Sequence, residues 1–171
     1  MKYLVVSDNH GDRDVLVDIA SEWSGKVAGM FHCGDSELEV TDELWQKYIV
    51  VKGNCDYDPK YDKECVIKTE DAVFYMTHGH LFNVNTSLTH LAMSAREKEA
   101  TIAFYGHTHK LFAEMENGIL FLNPGSISQP RGKYSDLKTY AMVDISDDTI
   151  KVTYHGRDHQ VISELSSEFN K

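Results

Sequence analysis

A chain of 171 residues, 42% hydrophobic and 26% charged, can bury a sizeable core in one domain and has the composition of a soluble globular protein. Its 17 basic and 27 acidic residues give a net charge of −10, which repels polyanions and argues against nucleic acid as a partner. No apolar run approaches the ~20 residues of a membrane span, and the 3 cysteines, without a C-x-x-C pair, argue against a disulfide framework or a thiolate zinc site.

The opening "MKYLVVSDNHG" turns polar too soon for a signal peptide, so the expected compartment is the cytoplasm. Lys2–Ser7 predicts a strand. Asp12 to Trp23 predicts a helix, with Val15, Leu16, Ile19, Ala20 and Trp23 on one face and Asp12 or Asp14 suited to its first turn. Val27–Cys33 predicts a second strand, and Glu37 to Lys47 a short acidic helix with Leu38, Leu44 and Trp45 inward. Tyr48–Lys52 predicts a third strand. This β-α-β-α-β alternation implies a parallel sheet with right-handed crossovers.

The pattern then changes. Cys65–Lys68 and Ala72–Thr77 read as antiparallel neighbours. Thr86 to Glu99 predicts a helix with Leu88, Leu91, Ala92 and Ala95 on one face, and Thr101–Gly106 another strand. Asn117-Gly118 between two apolar runs is a hairpin signal. A second hairpin is expected around Asp147-Asp148, and the residues after Asp158 read as a loose edge or tail. The expected fold is α/β (α+β): one domain, residues 1–171, of two mixed sheets packed face to face with helices outside.

Nine histidines are the compositional outlier, several of them in short clusters. The clusters fall at predicted strand ends: Asp8-Asn9-His10, Gly34-Asp35, Gly53-Asn54, Thr77-His78-Gly79-His80 and Gly106-His107-Thr108-His109. Ligands bind at the carboxyl ends of strands in α/β sheets. Period-2 geometry would let Asp8 and His10 point together, and likewise His107 and His109. Carboxylate, amide and imidazole donors suit manganese, iron or zinc. Such a set suffices for two metals if one carboxylate bridges, and two metals ~3.5–4 Å apart form the usual clamp for phosphate-ester hydrolysis.

D-x-H, G-D, G-N-x-[DE], H-G-H and G-H-T-H in this order resemble the calcineurin-like metallophosphoesterases. "GNCD", "THGH", "GHTH" and "NPGS" are most similar to the compact bacterial and archaeal phosphodiesterases of that superfamily. The resemblance implies a four-layer αββα sandwich and two divalent metal ions, manganese first, with zinc, iron or nickel as alternatives. It implies Asp8, His10 and His109 around one metal, Asn54, His78 and His107 around the other, and Asp35 bridging. A hydroxide shared between the metals would attack phosphorus, with Asn54 near the phosphate. His78 is preferred over His80 as the ligand, which leaves His80 either a catalytic candidate facing the phosphate and able to transfer a proton, a support behind the ligands, or simply a satisfied neighbour. Arg131 is the one cation placed to meet a phosphate, although a surface role is the simpler reading.

The implied activity is hydrolysis of a small phosphodiester, with no membrane partner and a possible homo-oligomer. The alternatives are a phosphomonoesterase, nucleotidase or pyrophosphatase on the same core, or a non-catalytic scaffold like the retromer subunit of this fold. His32 reads as packed or supporting, and His90, His155 and His159 receive no role. Many relatives carry a histidine after the asparagine, paired with the following acid as proton donor. Here Cys55 takes the histidine's place and Asp56 keeps the acid's. Cys55 reads as a small packed residue.

Overall fold

The computed structural model describes residues 1–171. In chain order the elements are β1 (Lys2–Val6), α1 (Arg13–Trp23), β2 (Gly29–His32), β3 (Ile49–Val50), β4 (Glu64–Lys68), β5 (Val73–Thr77), α2 (Thr89–Glu97), β6 (Ile102–Phe104), β7 (Leu111–Glu116), β8 (Ile119–Pro124), β9 (Tyr140–Ile145), β10 (Thr149–His155) and β11 (Ser167–Asn170).

Strand β1 sets the layering. Successive side chains of a strand face opposite ways. Tyr3 and Val5 therefore join the core between the sheets, with Phe31, Phe74, Met76, Phe104 and Leu122. Leu4 and Val6 pack outward beneath Val15, Leu16, Ile19 and Ala20 of α1. Burial on both faces explains why "YLVV" is an unbroken apolar run. On the far side, α2 lays Leu91, Ala92 and Ala95 over Tyr75, Ala103 and Phe121. The result is four layers, helix on sheet on sheet on helix.

One sheet has the order β11-β10-β9-β1-β2-β3 and the other β4-β5-β6-β8-β7. Strands β1, β2 and β3 run parallel, as do β5, β6 and β8. The remaining pairs are antiparallel, including β4 with β5, β7 with β8, and β9 with β10. Asn117 and Gly118 take φ of 51° and 79°, the left-handed pair that a tight hairpin demands.

Two elements differ from expectation, and a third settles an open alternative. The predicted helix over Glu37–Lys47 is a loop followed by a single 3-10 turn, Glu43–Gln46. Glu37 sits at φ 56° with its N–H bonded to Asp56, which prevents a helical start. The second helix is shorter than Thr86–Glu99, since the chain before Thr89 is turn. The residues after Asp158, read as a loose edge or tail, form an edge: Ser167–Asn170 pairs with β10 as the outermost strand of its sheet. No helix is long and apolar enough to cross a membrane.

Candidate metal centre

The loops after β1, β2 and β3 converge with the loops after β5 and β6 at one end of the sandwich. They bring Asp8, His10, Asp35 and Asn54 from one sheet to His78, His107 and His109 from the other. Asp8, His10, Asp35 and His109 each place a donor atom within 4.8 Å of the others.

Three of the imidazoles are held from behind. Nδ1 of His78 lies 2.7 Å from the Cys33 carbonyl, Nδ1 of His109 lies 2.7 Å from the Gln129 carbonyl, and Nδ1 of His10 lies 2.6 Å from Glu37 Oε1. These partners only accept, so each ring carries its proton on Nδ1 and turns Nε2 inward. The Nε2 atoms of His10 and His109 then face each other at 3.1 Å. Oδ1 of Asp8 stands among them, 3.1 Å from His109 Nε2 and 3.9 Å from those of His10 and His78. This oxygen is fully buried and has no hydrogen-bond partner. Converging lone pairs and an orphaned carboxylate oxygen form an environment that a cation satisfies, and the donor set fits a divalent metal.

The second group centres on His78. Its Nε2 faces Asn54 Oδ1 at 3.1 Å and Asp35 Oδ2 at 3.3 Å. Burial pushes the His78 pKa down, but Asp35 and Asp8 outweigh it and the net direction is up. Burial pushes Asp35 and Asp8 up, yet the facing imidazoles hold both carboxyls below the usual range. The His107 ring lies 5.2 Å from that of His78, centroid to centroid, and the backbone N–H of His107 donates to Asp8 Oδ2 at 3.3 Å.

His107 and His109 thus serve opposite ends of the cluster, contrary to the expectation that they point together. The reason is the backbone. Asp8, His10, Asp35, Glu37, His107 and His109 have φ between 45° and 68°, so these loops are left-handed rather than extended. Such strain persists where the surroundings over-determine it, and it clusters at functional sites.

The buttresses explain that rigidity. Asp56 accepts from the N–H groups of Asp35, Glu37 and Gly53 at 2.8, 2.7 and 2.7 Å, and from Ser36 Oγ at 3.0 Å. It therefore ties two loops together rather than pairing with the side chain at position 55. Cys55 donates its N–H to Asp35 Oδ1 at 2.7 Å. Its partly exposed Sγ accepts from Asn54 Nδ2 at 3.3 Å. Burial, then Asp35, pushes the thiol up to about 11. In the NPGS segment, Asn123 Nδ2 donates to the Gly106 carbonyl at 2.9 Å and Ser126 Oγ to the Asp8 carbonyl at 2.8 Å.

His80 stands beside the cluster, its ring 5.4 Å from that of His78 and 6.1 Å from that of His107. Its buried Nδ1 has no partner. Arg131 donates its backbone N–H to the His109 carbonyl at 2.9 Å, while its exposed side chain makes no hydrogen bond or ion pair. His32 is fully buried, with Nε2 2.8 Å from Asn9 Oδ1 and Nδ1 accepting from Gly34 N–H. His90 is exposed, and His155 and His159 lie apart from the cluster around Tyr140. The sequence reading missed Glu37, the clamping role of Asp56, and the carbonyls of Cys33 and Gln129. Only Asp56 carried a motif signal.

Known proteins share this fold. Residues 1–148 match the model of the calcineurin-like phosphoesterase superfamily domain. The chain is 34% identical over 167 residues to the probable metallophosphoesterase YsnB of Bacillus subtilis, covering 98% of each. It is 31% identical to the phosphodiesterase YfcE of Escherichia coli K12, covering 80% of this chain and 67% of that one. The crystal structure of a conserved predicted phosphoesterase from Streptococcus pneumoniae TIGR4 superposes with a TM-score of 0.96 at 44% identity, covering 99% and 97%. Zinc-complexed Vps29 of Entamoeba histolytica shares the fold, with a TM-score of 0.73 at 22% identity over 99% of each chain. The chain belongs to the calcineurin-like phosphoesterase superfamily.

Proposed function

We propose that the protein is a metal-dependent phosphodiesterase that hydrolyses a small phosphodiester at a dinuclear centre. The observation that carries this reading is the inward convergence of His10, His78 and His109 Nε2 on the unpartnered Asp8 Oδ1. In this reading Asp8, His10 and His109 hold one divalent ion, Asn54, His78 and His107 hold the other, and Asp35 lies between the groups. When bound, such ions acidify water and neutralise charge on phosphoryl oxygens. The chain's own work is to fix seven donors on strained, buttressed loops before substrate arrives. Asn54 is exposed at the mouth and its Nδ2 can reach a phosphoryl oxygen. His80 is the imidazole left over to exchange a proton with the leaving group. Manganese is the first metal to test. Arg131 is a surface cation near the mouth that can meet substrate charge.

The diester preference draws on the likeness to the phosphodiesterase YfcE. A net charge of −10 favours a small substrate over a polynucleotide. Purified protein loaded with Mn²⁺ should hydrolyse a chromogenic phosphodiester, and His107→Ala should lower turnover by about 100-fold or more. No turnover that His107→Ala removes would refute the reading. Faster hydrolysis of monoesters in the same panel would replace diester with monoester. Failure to take up even one equivalent of metal would favour a scaffold, the role to which the Vps29-like fold alone could point.

A further inference from the structure

Each of the three inward-facing imidazoles is held on Nδ1 by an acceptor. For His78 and His109 the acceptor is a backbone carbonyl. For His10 it is a side chain, Glu37, whose Oε1 lies 2.6 Å away. Glu37 has φ 56°, a conformation in which glycine is comfortable and a side chain is strained. Its side chain is 40% exposed, so it contributes little to the core, and its one hydrogen bond is to His10. Its backbone is pinned by the N–H donated to Asp56 at 2.7 Å, in the clamp that also holds Asp35 and Gly53. A carboxylate at a strained, exposed position that holds only one imidazole has little structural reason to be there.

We propose that Glu37 is a positioning residue for the metal site built on His10. It fixes the His10 ring with Nε2 inward and places a negative charge behind that ring alone. A carboxylate behind a ligand histidine sets its tautomer and strengthens it as a donor, whereas a carbonyl adds no charge. The two metal positions are therefore unequal: the one at His10 depends on a solvent-facing side chain, and the one at His78 on the buried backbone. The inference rests on the metal-centre reading above.

The test uses the protein stripped of metal and titrated with Mn²⁺, read by calorimetry and electron paramagnetic resonance. Metal-free Glu37→Gly should melt at or above the wild-type temperature, because glycine relieves the strain at φ 56°. One of its two Mn²⁺ equivalents should bind 10–100-fold more weakly while the other is unchanged. The spin-coupled signal of paired ions should appear only at correspondingly higher Mn²⁺. Glu37→Gln keeps an acceptor without charge and should fall between the two. Two equivalents bound as tightly in Glu37→Gly as in wild type would overturn the inference while leaving the metal centre intact. A lower melting temperature with both equivalents weakened alike would make Glu37 structural and also overturn it. Wild-type protein that binds no Mn²⁺ would overturn both readings.

Discussion

Cys55 bears on how a leaving group would be protonated in the proposed reaction. A histidine at this position could give a proton to a departing alkoxide, whereas a thiol pushed up to about 11 is a poor donor at neutral pH. Rates should therefore fall steeply from nitrophenol to alkyl leaving groups, and Cys55→His should flatten that slope by raising the alkyl rates about 10-fold or more. A slope already shallow in wild type would credit His80 with the proton. His32 permits a prediction about stability. Burial holds its pKa down to about 4, against 6.5 in an unfolded chain. Between those values unfolding takes up a proton, so stability falls as pH drops. The limiting slope is about 1.4 kcal/mol per pH unit for one group. His80, His107 and His155 are also lowered by burial and add to it. His78 is raised, so its contribution is present below 6.5 and lost as pH rises through its folded value, which does not oppose the trend. Urea titrations of metal-free protein from pH 6.5 to 4.5 should show the decline, and His32→Gln should reduce its slope.

At the scale of elements, the strands were legible because β-formers alternate or run unbroken between glycines, and the donors were legible because each sits just past such a run. The loop geometry was not. Asp56 meets the Asp35 backbone from 21 residues away, and no local pattern announces that contact. The same clamp turned a predicted helix after Glu37 into a loop. The glycines of the motifs have a steric reason that appears only in three dimensions. A Cβ on Gly53 would lie 2.0 Å from Asp35 Oδ1 and 2.2 Å from Asp35 N. One on Gly106 would lie 2.2 Å from Ser7 Oγ. Gly53→Ala should thus cost about 1–3 kcal/mol and displace Asp35, with loss of at least one bound metal by elemental analysis. Gly29→Ala in β2, where the nearest atom would be 3.5 Å away, is the matched control and should bind metal normally.

At the scale of the molecule, metal should stabilise the fold by mass action. Mn²⁺ at 100 times its dissociation constant adds about 2.7 kcal/mol per independent site. For a chain of this size that corresponds to a melting temperature roughly 5–10 °C higher. Excess chelator should return the metal-free value, and an unshifted transition would count against resident metal. The division of donors between the sheets bears on the order of events. Asp8, His10, Asp35 and Asn54 hang from one sheet and His78, His107 and His109 from the other, so each proposed metal position draws donors from both. On the proposed assignment an ion would not seed the fold as zinc does in small fingers. It would enter only after the two halves have docked, and would then fasten them like a rivet. Metal supply should accordingly leave the refolding rate unchanged and slow unfolding, so a cell short of metal would still make the protein but hold it less durably.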